Sequence, residues 1–89
     1  MKLDMNVHIW KEDRQYLAHA MPLDVMSSGP TPEAARRAVD EAVHLFLQTA
    51  LEVGTLEEIL EECGYERQGD RWVSPSLVSV EKHDLAIAV

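Results

Sequence analysis

Four histidines, one cysteine, a pair of serines and a run of glutamates are the side chains here that could do chemistry. His8 and His19 lie in stretches with strand periodicity and can approach each other if a hairpin sets them in register. His44 stands alone on a helical stretch, and His83 lies in a polar bend. A zinc site needs three or four ligands at defined spacing, for instance two histidines one turn apart on a helix. The chain has no such pair, so its histidines read as surface or half-buried strand residues and no metal is expected. Cys63, the single cysteine, excludes an internal disulfide and a thiolate cluster. Near the end of an apolar helical stripe, it reads as a buried thiol. Ser27 and Ser28 have no histidine–acid pair in support and read as turn residues. Nuclease chemistry needs several carboxylates converging on a divalent cation. Asp4 is the only acid in a plausible sheet position, and neither Asp24 nor Asp40 obviously converges with it. With no Gly-rich phosphate loop either, the expectation is a chain that is not an enzyme, with no catalytic residue and no cofactor.

What remains is electrostatic. Sixteen acidic residues against eight basic ones give a net charge of −8, which repels nucleic-acid phosphates and anionic lipid alike. A macromolecular partner of such a chain should be basic. Glu57, Glu58, Glu61 and Glu62 recur at helical spacing on one surface. Such a run is either the wet face of a helix or a docking patch for a basic protein.

The elements that would position these residues follow from hydrophobic period. Leu3, Met5, Val7 and Ile9 alternate with polar residues as in a half-buried strand. Lys11–Arg14 is a charged break, after which Gln15–Met21 resumes as a strand with Tyr16, Ala18 and Ala20 on one face, so a hairpin is expected. Pro22 cannot donate to a ladder and should interrupt pairing. Leu23–Ser27 is a third short strand, and Ser28-Gly29-Pro30 turns the chain. Thr31-Pro32-Glu33 starts a helix: a hydroxyl to cap a free amide, a proline suited to the first turn, and a carboxylate for the positive dipole end. Ala35, Val39, Ala42, Phe46, Ala50 and Val53 form its apolar stripe, and Gly54 should stop it near Glu52. This helix should cover one face of the sheet. Thr55-Leu56-Glu57-Glu58 predicts a capping box opening a second, short helix on Leu56, Ile59, Leu60 and Cys63, ended by Gly64. Trp72-Val73 is a possible short strand. The tail, Leu77–Val89, is β-rich, but its apolar parity switches between Val78/Val80 and Leu85/Ile87/Val89. A bulge or turn near Lys82-His83-Asp84 would reconcile the two halves.

Strand, hairpin, strand, Gly-x-Thr turn and helix resemble the N-terminal domain of the HicB antitoxin family. The residues that carry the resemblance are Tyr16-Leu17-Ala18, Met21-Pro22-Leu23, Gly29-Pro30-Thr31, Glu33-Ala34, and Glu41-Ala42 with Leu45-Phe46-Leu47, within a span from about Met5 to Leu51. The chain departs from the family pattern at Gln15, at Val25-Met26 and at Pro30. The resemblance implies an incomplete RNase H-like fold and a protein that binds and silences a small RNA-cleaving toxin, HicA. Many relatives append a DNA-binding helical module. After Gly54 only one short helix and strand-like sequence follow, among mainly acidic residues, so direct operator binding is not expected.

The expected architecture is α+β: a small, mostly antiparallel sheet with a β-β-β-α core, one long helix, a short second helix and C-terminal strands. A single domain over residues 1–89 is expected, with its core in about 3–53 and an extension over 54–89. A membrane-spanning segment needs roughly 20 apolar residues, and no run approaches that. With no apolar leader at the N-terminus either, a cytoplasmic location is the expectation. Leu85, Ile87 and Val89 would be an aggregation hazard as a free edge. They could pair inside the sheet or across a two-fold axis, and a homodimer or tetramer using this edge is expected. Two functional readings follow: an antitoxin that occludes a basic, HicA-like, mRNA-cleaving toxin through Glu57, Glu58, Glu61 and Glu62, or a stand-alone oligomeric interaction protein of the same fold.

Overall fold

The computed structural model describes residues 1–88. It is an α+β structure: β1 (Lys2–Leu3), β2 (Asn6–Glu12), β3 (Gln15–Met21), β4 (Val25–Gly29), α1 (Pro32–Val53), α2 (Leu56–Glu62), β5 (Glu66–Gln68) and β6 (Arg71–Val73). The strands form two three-stranded sheets, ordered β2-β3-β4 and β1-β6-β5.

The larger sheet is a meander whose alternation decides which residues face the helix. In antiparallel register Val7 opposes Ala20, Ile9 opposes Ala18, and Val25 and Ser27 oppose Ala20 and Ala18 from the other side. Ala18 and Ala20 are fully buried, with Val7, Ile9, Tyr16 and Val25 packed around them. Small alanines at the centre let α1 approach, and Ala35 and Val39 on that helix are also fully buried. Gly29 marks the closest approach: a Cβ there would stand 2.7 Å from the Ala35 amide nitrogen and 2.8 Å from atoms of Ala34. Glycine is therefore required by space and not by backbone angle.

Both ends of α1 follow local sequence. Thr31 Oγ1 accepts from the Ala34 amide at 3.0 Å, with Pro32 in the first turn. Gly54, at φ 81°, terminates the helix in the left-handed conformation. Around it the Thr55 and Gly54 amides donate to Ala50 and Leu51, the paired bonds of a Schellman stop. The Tyr65 and Gly64 amides repeat that pattern onto Leu60 and Glu61 at the end of α2.

Several expectations are corrected. Leu3 and Met5 do not continue into the first hairpin strand; the chain breaks at Asp4 and Met5, and β1 joins the other sheet, parallel to β6, with Lys2 opposite Arg71 and Leu3 opposite Trp72. The third strand is Val25–Gly29, because Pro22–Asp24 are spent on the turn, with Asp24 at φ 60°. The Thr55 capping box does not form. The Schellman stop draws Thr55 back onto α1, and its hydroxyl donates to Ala50 O at 3.5 Å. Phe46 and Val53, on the apolar stripe of α1, stay 37% and 67% exposed.

The strands expected in the tail are the largest correction. Residues 74–88 carry no regular element, and Leu85 and Ile87 are 83% and 78% exposed. Val89, the third residue of the expected edge, lies outside the described residues. A strand must offer one consistent face to a core, and the parity switch denies the tail such a face. The C-terminal strands are β5 and β6, the second of which contains the expected Trp72-Val73, and Leu56, Leu60, Tyr65 and Trp72 belong to the same buried cluster as Ala18 and Val39.

Candidate interaction surfaces

Asp4 illustrates how a carboxylate in a chemically suggestive place becomes a structural clamp. Its two oxygens accept from the Ser74 amide at 2.8 Å and the Ser74 hydroxyl at 2.5 Å. The Tyr65 hydroxyl donates to the Asp4 carbonyl at 2.7 Å. The bonds from Ser74, hydroxyl first and amide second, hold the Asp4 carboxyl below its ordinary range. Burial, with the Asp4 charge behind it, pushes the Tyr65 phenol up to about 12, so the phenol keeps the proton it donates. These bonds span 61 and 70 residues of sequence and tie the N-terminal segment to Tyr65 and Ser74, the residues on either side of the β5–β6 hairpin.

Asp24 and Asp40 do not join Asp4: Asp24 contacts His19, and among the described residues no cluster of three or more His, Cys, Asp or Glu side chains could hold a metal ion. Cys63 is half-buried, and burial, then the charges of Glu62 and Asp24, raise its thiol. A raised thiol is a poor nucleophile at neutral pH.

The acidic patch sits where its spacing placed it. Leu56 and Leu60 anchor α2 in the core, with Ile59 and Cys63 packed against it, and this turns Glu57, Glu58, Glu61 and Glu62 to solvent. Glu57 is partly engaged: Arg67 Nη1 on β5 donates to its Oε1 at 3.3 Å. Arg67 also lies 5.9 Å from the centre of the Trp72 ring. Glu58, Glu61 and Glu62 carry the uncompensated charge of this face.

A second surface is the side of the β2-β3-β4 sheet away from α1. The register sets His8 directly opposite His19 and Trp10 opposite Leu17. Trp10 meets His19 edge-on, at 6.5 Å between ring centres and 87° between planes. His19 Nε2 is 2.5 Å from Asp24 Oδ1. Met21 and Met26 flank the histidine, 39% and 51% exposed. This is a flat apolar patch around one histidine–carboxylate pair, and it presents no nucleophile bonded to that pair. The sequence carried a signal for it: Trp10 and Leu17 stand on the parity opposite to Ile9 and Ala18, which leaves an apolar residue on both faces. His44 and His83 remain apart from the cluster; His83 bonds Glu81 at 3.0 Å in the tail.

No helix among the described residues is long and apolar enough to cross a membrane. Compared with protein-family models, curated proteins and solved structures, the chain finds no match.

Proposed function

We propose that this chain is a HicB-like antitoxin, a non-catalytic cytoplasmic protein that neutralises a small basic, HicA-like ribonuclease by covering it. The observation that carries the reading is the outward face of α2: glutamates on a helix fixed from beneath by Leu56 and Leu60. An enzyme that grips RNA must present positive charge, and an acidic, pre-ordered surface can compete for that charge. The β-β-β-α order with its Thr31 cap and Gly29 close approach supports the reading in the region of the resemblance. Long-range attraction from a chain of net charge −8 would speed the encounter with a basic partner. Nucleic acid and membranes are not partners on this view.

Co-expression with an adjacently encoded short basic ribonuclease is the test. Growth should be rescued and the two proteins should co-purify. Charge reversal of Glu57, Glu58, Glu61 and Glu62 together should abolish rescue while leaving the circular-dichroism spectrum unchanged. Undiminished rescue by that variant would overturn the role of the patch. Cleavage of RNA by the pure chain with Mg²⁺ or Mn²⁺ would overturn the non-catalytic reading.

A second reading is favoured by a different feature. The exposed apolar tail suits a stand-alone protein that assembles with itself and acts through its oligomer surface.

A further inference from the structure

We propose that the tail is a strand-donating arm, and that its distal half, Leu85–Ala88, pairs with the free β4 edge of a second copy of this chain. This deepens the self-association reading and does not depend on a toxin partner.

The arm begins after Pro75, which packs beside Gly64. From there to residue 88 it has no regular element, and no backbone hydrogen bond joins it to the body among the described residues. Val78 is 95% and Leu85 83% exposed. A compact chain of this length has a radius of gyration of about 12 Å; this one has 15.5 Å and a longest extent of 47 Å. A β-prone segment with uncharged stretches, held away from its own core, leaves apolar area and backbone groups open to pairing with another molecule.

The arm has internal order that divides it. The Ser79 hydroxyl donates to Glu81 at 2.7 Å, and His83 bonds the other oxygen of Glu81 at 3.0 Å. This local knot separates Leu77–Val80 from Leu85–Ala88, and neither half carries a charge. The proximal half lies close to the anchored Ser74; the distal half is free to reach further.

Of the two outer strands in the larger sheet, β2 carries charge within the strand and β4 does not, its Asp24 and Pro30 standing just outside either end. Lys11 and Glu12 close one end of β2, and Asp13 and Arg14 follow at once. Val25-Met26-Ser27-Ser28-Gly29 contains no charge and no proline. Two bodies of net charge −8 repel one another, so contact between copies should run through uncharged segments. The distal arm and β4 are both uncharged, and their lengths match within a residue. Reciprocal donation by each copy closes the assembly on a two-fold axis.

The test combines sedimentation velocity with amide hydrogen exchange on the purified full chain over a range of micromolar concentrations. The expected result is a species of twice the chain mass, in which the arm amides from 85 to 88 and the β4 amides gain protection together and lose it together on dilution. The double variant Leu85→Lys/Ile87→Lys lies wholly in exposed tail, so at dilutions where the wild type is monomeric it should keep the wild-type circular dichroism and denaturation midpoint, while sedimenting as a monomer at the concentrations where the wild type pairs. A monomeric wild type at high micromolar concentration would overturn the inference, as would a monomer with a protected arm or a dimer that survives the double variant. Protection that falls on Asn6–Glu12 instead of Val25–Gly29 would overturn the choice of edge. Since only the isolated chain is measured, failure here leaves toxin occlusion standing, and failure of occlusion leaves the arm standing.

Discussion

Strand β2 and the arm are similar in composition and opposite in fate. Both are short, place β-branched residues at alternate positions, and have charged residues close by. In β2, Val7 and Ile9 keep one parity, Ala20 and Ala18 meet them in register, and α1 closes over the result. In the arm, Val78 and Val80 belong to one parity and Leu85 and Ile87 to the other, and all four stay exposed. Strand propensity is permission to pair. Burial on a consistent face is what makes pairing stable within one chain.

The largest expected effect breaks the packed side of that comparison. Trp72→Ala, removing a 5% exposed ring from the buried cluster it shares with Leu56 and Leu60, should lower unfolding free energy by about 3–5 kcal/mol, read by urea denaturation. Next comes the clamp. Asp4→Ala should cost about 1.5–3 kcal/mol at neutral pH, as hydrogen bonds to a charged group are lost. Because its partners depress the folded-state pKa of Asp4, that contribution is complete above the ordinary carboxylate value and disappears as pH falls through the folded one. The gap between wild type and Asp4→Ala should therefore be constant near neutrality and narrow below about pH 4; a gap that persisted undiminished into stronger acid would mean that the side chain acts without its charge. Gly29→Ala should cost about 1–3 kcal/mol from overpacking against Ala34 and Ala35, with a reduced thermal midpoint as its readout. At the small end, Leu85→Ala should leave the stability of dilute, monomeric chain within about 0.5 kcal/mol of wild type, although it concerns a leucine as apolar as any in the core. A large loss there would show that the arm already contributes to the single-chain fold.

Much of the β2–α1 region was legible before the structure, because its signals are local. Pro22 ended a strand, Thr31 capped a helix through an atom three residues from its partner, and Gly54 stopped that helix by its backbone angle. The exposed glutamates of α2 followed from helical spacing alone. The parallel pairing of β1 with β6 was not legible, nor was the bond from Ser74 to Asp4, since each joins residues about 70 positions apart. Period-two alternation ran unbroken through Asp4 and gave no hint that the chain changes sheets there. The capping box at Thr55 failed for a related reason: two local signals competed for one residue, and the helix stop took it.

By itself the sequence determined the elements whose hydrogen bonds close within a few residues, the acid balance, and the lack of ligand spacing for thiolate or paired-histidine metal chemistry. Only the tertiary structure decided which apolar residues are covered. It buried Trp72 and Leu60 and left Trp10 and Phe46 open at the surface, and it set His8 against His19. Periodicity records which way a side chain points, whereas burial depends on whether another element arrives to meet it, and that second element is encoded elsewhere in the chain.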